Sequence, residues 1–145
     1  MDPDKLFLKY KAVLIRIAGR RALFDTTLDS IGKSLFHKKW LGVYSQKDAL
    51  FKPGYQVLNT SNRAPGTHWV SLFIEGKNVY VYDTFGRPTR SLLKGFYSKA
   101  KAKGFSVIDS DYDQEQRGSS EVCGVLALSW LLVVKNLGIT EALRI

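Results

Sequence analysis

The 145 residues carry 45% hydrophobic and 24% charged side chains, a balance that excludes the disordered class and suits one domain, residues 1–145, rather than two. With 22 Lys+Arg against 13 Asp+Glu the net charge is +9 at pH 7, which admits an anionic partner beside the plainer reading of a solvated basic surface. Cys123 is the single cysteine, so no intrachain disulfide can form; with no basic-then-apolar leader and no apolar run of about 18 residues, the expectation is a reducing compartment, no secretion and no membrane.

In chain order, Leu6, Tyr10, Val13, Leu14 and Ile17 recur at helical spacing among Lys and Arg, predicting a basic amphipathic helix over residues 4–20 that stops at Gly19. Leu28, Ile31 and Leu35 predict a second helix, Thr27 to Phe36, which Asp25 or Thr26 could cap. From Trp40 onward Gly42, Pro53 and Gly54 break the chain into short apolar pieces, of which Tyr55 to Asn59 reads as a strand running into a turn-rich loop, Thr60 to Thr67. Two clearer strands follow, Trp69 to Ile74 and Val79 to Thr84, joined by the hairpin residues Glu75-Gly-Lys-Asn78 and expected to pair antiparallel. Arg90 to Lys103 reads as a helix ended by Gly104, Phe105 to Asp109 as a short strand, and Ser110 to Glu121 as a polar loop. Cys123 to Leu137 has almost no polar face and is expected to be a buried central helix.

Cys123 stands where the polar loop meets this helix, with Ser119 or Ser120 available to cap it. A thiol in the first helical turn meets unpaired N–H groups and the positive end of the helix dipole, which favour the reactive thiolate. Gly124 beside it adds no side chain to crowd the sulfur. A lone cysteine is more often an inert core residue, so the reading depends on its companions. His68 opens a strand directly after the loop, where a side chain reaches a cleft, and histidine is the proton acceptor suited to a thiol near neutrality. The other histidine, His37, reads as a bystander at a helix end. Asp83 lies on the next strand among apolar residues, either a turn cap or the group that fixes the His68 ring. Gln116 can aim an amide at developing oxyanion charge together with the N–H near Cys123; Gln114 is the rival.

Five segments carry a resemblance: Trp40-Leu-Gly-Val-Tyr44, Val57-Leu-Asn-Thr60, Gly66-Thr-His-Trp69, Val81-Tyr-Asp-Thr-Phe-Gly86 and Gln116-Arg-Gly-Ser-Ser-Glu-Val-Cys-Gly124. In order and approximate spacing the chain resembles the adenovirus-type maturation cysteine endopeptidases and, more distantly, the SUMO-deconjugating proteases, over roughly Trp40 to Leu137. The resemblance implies an α+β fold with a papain-like core, in which a buried central helix carrying Cys123 packs on a small, mainly antiparallel sheet carrying His68 and Asp83. It implies that Cys123 is the nucleophile, His68 the general base and acid, Asp83 its orienting partner and Gln116 part of the oxyanion hole. Gly66, Trp69 and Gly124 would border a groove that admits glycine near the scissile bond. The implied substrates are capsid or core precursor proteins, cut through a thioester by a monomer inside the virion or in the host cytoplasm or nucleus. The chemistry calls for no metal and no cofactor. DNA and a non-covalent peptide are the candidate activators, because the disulfide-tethered peptide of the longer adenoviral enzymes has no second cysteine to join. Two alternatives stand beside this reading: a protease that deconjugates ubiquitin-like proteins, and a basic nucleic-acid-binding module in which Cys123 and His68 are incidental.

Overall fold

The computed structural model of the chain describes residues 2–18, 25–60, 68–83, 89–110 and 123–145. Helix α1 (Pro3–Ala18) starts on Asp2, whose carboxylate accepts from the Asp4 N–H at 3.0 Å, an N-cap that satisfies one of the orphan donors of the first turn. Helix α2 (Asp25–Phe36) leads through a tight turn at His37–Lys39 into β1 (Trp40–Ser45), and a second turn at Gln46–Asp48 precedes β2 (Gly54–Asn59). The hairpin β3 (Trp69–Glu75) and β4 (Asn78–Tyr82) follows, then α3 (Thr89–Leu92), α4 (Lys94–Ala102), β5 (Ser106–Asp109), α5 (Cys123–Leu137) and α6 (Ile139–Ala142). The α+β class and the hairpin agree with the sequence reading. No described helix is long and apolar enough to cross a membrane.

All five strands form one sheet in chain order, β1-β2-β3-β4-β5. The two inner pairings are antiparallel, but β1 lies parallel to β2 and β5 parallel to β4. The sheet is therefore mixed, which corrects the expectation of a mainly antiparallel one. The cause is connectivity: the chain returns from β4 to β5 through α3 and α4, and a crossover of that length delivers a parallel strand.

Alternation along the strands sorts the core into two layers. Tyr55, Val57, Trp69, Phe73, Tyr80 and Tyr82 join the cluster built on α1, α2 and α5. Their neighbours Leu58, Val70, Leu72, Ile74, Val79 and Val81 pack with Leu93 and Phe96 of the α3–α4 region. With both faces covered, β2 to β4 read as nearly continuous apolar runs. Helix α5 is apolar all round for the same reason: its residues from Cys123 to Val134 are all buried, between α1 on one side and β3 on the other. Tyr82 stacks on Trp130 at 5.3 Å and meets Phe7 edge-on at 6.0 Å, so sheet, α5 and α1 share one aromatic contact.

Three elements depart from the sequence reading. β1 was hidden because Gly42 sits at φ 128°, where the pairing with β2 slips between Trp40 and Gly42 and the alternation breaks. The helix expected over Arg90 to Lys103 bends at Leu93, which is fully buried in the α4-side core; the bonds Leu93 N–H to Thr89 O and Tyr97 N–H to Leu93 O carry across the bend. The short α6 follows Gly138, and its Ala142 carbonyl accepts from the Trp130 indole at 3.0 Å.

A buried polar contact joins the sheet to α5: Ser71 Oγ of β3 donates to the Ala127 carbonyl at 2.7 Å. Ser71→Ala should cost about 1 kcal/mol, because the helix still supplies a partner to that carbonyl. Urea unfolding should show a lower midpoint with an unchanged slope; an unchanged midpoint would mean that the bond contributes nothing.

Candidate active site

His68 and Asp83 each lie one residue beyond a paired strand end, His68 just before β3 and Asp83 just after β4. The antiparallel register sets Ser71 opposite Tyr82 and Leu72 opposite Val81. Continued one step, it sets Val70 opposite Asp83, and His68, two residues from Val70, shares that face. The two side chains are thus diagonal neighbours at the same end of the hairpin, and His68 Nε2 is hydrogen-bonded to Asp83 Oδ1. Both are buried, at 5% and 3% exposure. An ionised carboxylate only accepts, so Nε2 carries the proton in this pair, and the imidazole is held in one orientation.

Cys123 is the first residue of α5, also buried at 4% exposure. It belongs to the α1–α5 layer, opposite the layer that holds Val70. Thr60 N–H donates to the His68 carbonyl at 3.0 Å; the next pair, Asn59 and Trp69, therefore exchanges no bonds, and the Trp69 N–H points away from β2. The backbone of Trp69, the residue adjoining His68, acts to lower the Cys123 thiol pKa. Two residues along β3, Ser71 meets Ala127. Two strand residues advance roughly 6.6 Å and four helix residues about 6 Å, so α5 and β3 run in step from the sulfur inward.

Burial pushes the Cys123 thiol above its ordinary pKa; the backbone hydrogen bonds from Trp69, Gly124 and Cys123 itself pull it down without offsetting the burial, and the Asp83 charge raises it further. This corrects the expectation that the helix tip makes a ready thiolate: the N–H groups are there, but desolvation of the sulfur outweighs them. Asp83 therefore has two effects: its charge raises the thiol slightly, and its oxygen holds the histidine ring.

Of the other expected site residues, Trp69 is buried in the core cluster that contains Cys123, and Gly124 is buried beside it. Gly66, Gln116 and Gln114 lie outside the described residues. His37 is exposed in the turn after α2, as a bystander would be. Sequence reasoning missed Ser71, although a lone hydroxyl in the strand Trp-Val-Ser-Leu-Phe-Ile was the available signal. It also missed the cluster in which Thr89 Oγ1 donates to Asp109 and Tyr97 OH bonds both. That cluster ties α3 and α4 to β5, and Ser110 N–H donates to the Val81 carbonyl two residues before Asp83. Among the described residues no group of three or more His, Cys, Asp or Glu is placed to hold a metal ion. A surface cavity of about 550 Å³ lies along α4 and β5, lined by Arg90, Lys94, Tyr97, Lys101 and Phe105 among others, and includes neither Cys123, His68 nor Asp83.

Compared with protein-family models and with curated proteins, the chain matches none.

A buried thiol with a raised pKa should react slowly with iodoacetamide at pH 7, and its rate should still be climbing at pH 9. A rate that levels off near neutrality would show that the thiolate is already formed in the resting protein.

Proposed function

We propose that the chain is a cysteine endopeptidase of the adenovirus maturation type, which cuts capsid or core precursor proteins at glycine-containing sites. The observation that carries this reading is the His68–Asp83 hydrogen bond at the end of the hairpin, with Cys123 buried at the first residue of α5 and its thiol under the influence of the Trp69 backbone and the Asp83 charge. The order of motifs along the sequence supports it independently.

In this reading the resting sulfur is a thiol. As Sγ bonds to the substrate carbonyl carbon, its proton passes to the ring nitrogen Nδ1, because Nε2 is engaged by Asp83. Asp83 then faces an imidazolium and stabilises it. The carbonyl oxygen gains negative charge beside the first N–H groups of α5, with the Gln116 amide as the proposed second donor. The imidazolium protonates the departing amine, the C–N bond breaks, and a thioester remains. Water, deprotonated by His68, attacks that thioester and frees Cys123. No step calls on a metal or an organic cofactor. DNA or a non-covalently bound peptide as activator belongs to the same proposal, as does a virion or host-cell setting.

Precursor proteins and glycine-containing peptides incubated with the wild-type chain should yield defined cleavage sites by mass spectrometry. Cys123→Ala should lower the rate by at least about 10³-fold while leaving circular dichroism unchanged. Asp83→Asn should lower it by roughly 10⁴-fold if, as in other triads, the lost carboxylate leaves the ring in the wrong tautomer. Cleavage that survives Cys123→Ala would refute the assignment, and a ubiquitin-like C-terminal reporter turned over far faster than any precursor would transfer it to a deconjugating protease.

A further inference from the structure

Helix α1 buries Leu6, Phe7 and Leu14 against the core, yet its outer side is not the polar face such a helix ordinarily turns to water. Among the described residues the exposed large hydrophobics are Leu8 at 57%, Val13 at 39% and Ile17 at 69%, and all three lie on this one helix. Interleaved with them on the exposed side are Lys5, Lys9 and Arg16. Spacings of three and four residues make neighbours of Lys5, Lys9, Ala12 and Arg16 along the middle of this face, with Leu8 on one side and Val13 and Ile17 on the other. The acids of this segment, Asp2 and Asp4, are confined to its first turn.

We propose that this face of α1 is a docking surface for an acidic amphipathic helix of a partner protein, one whose bulky apolar residues seat between Leu8, Val13 and Ile17 while its carboxylates pair with Lys5, Lys9 and Arg16. The charge pattern selects this occupant over three others. A second copy would bring a basic face against a basic face, in a chain of net charge +9. A lipid surface wants the apolar side chains together and the cations at the margins, but here Lys5, Lys9 and Arg16 run down the middle, with Leu8 on one flank and Val13 and Ile17 on the other. A nucleic acid would use the cations and leave three apolar side chains in water. An acidic, apolar helix satisfies both sets at once, in the helix-to-surface mode read through positions three and four apart. The proposal is independent of the catalytic reading, since no residue of this face belongs to the strand-tip site.

The test is a selection from displayed helix-forming peptides of about 16 residues, the length of α1, on the full 145-residue chain, with counter-selection on the Val13→Ser/Ile17→Ser variant. The selected peptides should combine Asp or Glu with Leu, Ile or Phe at helical spacing. One of them, made synthetically, should bind about tenfold more weakly to that variant and to a Lys9→Glu/Arg16→Glu variant, all these sites being exposed and their replacement compatible with folding. Any of four results would overturn the proposal: no enriched peptide, enriched peptides without acidic residues, binding indifferent to both variants, or a face occupied otherwise. The last would show as phosphatidylserine vesicles bound, or self-association in sedimentation, with either one lost in the same variants.

Discussion

The seating of α5 on β3 is the constraint on which the arrangement depends. A helix without a polar face has to be covered on every side, and here the sheet and α1 cover it. Apolar burial alone would let the helix slide or rotate, because it is non-directional. The Ser71 to Ala127 hydrogen bond removes that freedom, and the aromatic stack of Tyr82 on Trp130 reinforces it one turn further in. The position of Cys123, one helical turn before Ala127, is therefore set by core packing. A position set this way is held to the tolerance of a packed interior, and such groups demand that tolerance.

The same seating decides the electrostatics. By drawing the sulfur under cover it raises the thiol, even though three backbone N–H groups favour the anion. Asp83 acts on both groups: it orients His68, while its charge opposes a bare thiolate. For the proposed reaction, the raised thiol favours a proton that moves during attack over a thiolate formed beforehand. The hydrogen-bonded His68 and Asp83 make a coupled pair, so replacing one changes the behaviour of the other.

Much of this was legible in the sequence, for local reasons. The turn residues Glu75-Gly-Lys-Asn78 between two alternating runs fixed the hairpin, and with it the diagonal relation of His68 and Asp83. The unbroken apolar run after Cys123 could only be a covered helix. What escaped was non-local. The parallel placement of β1 and β5 follows from where connections lead, β1 was masked by the Gly42 irregularity, and the bend at Leu93 exists because a distant core takes that side chain in. The state of the sulfur escaped as well. Helix-tip chemistry is visible in a sequence, whereas the depth of burial that overrides it belongs to the assembled layers.

The most direct measurement is nitrogen-15 NMR of the imidazoles, in which the exposed His37 serves as an internal reference. In the folded protein His68 should show the tautomer protonated at Nε2, with its proton moved downfield by Asp83, and its Nδ1 resonance should shift when Cys123 is replaced by serine while His37 stays put. A His68 spectrum indifferent to the residue at position 123, or one protonated at Nδ1, would contradict the proposal that sulfur, ring and carboxylate act as one unit.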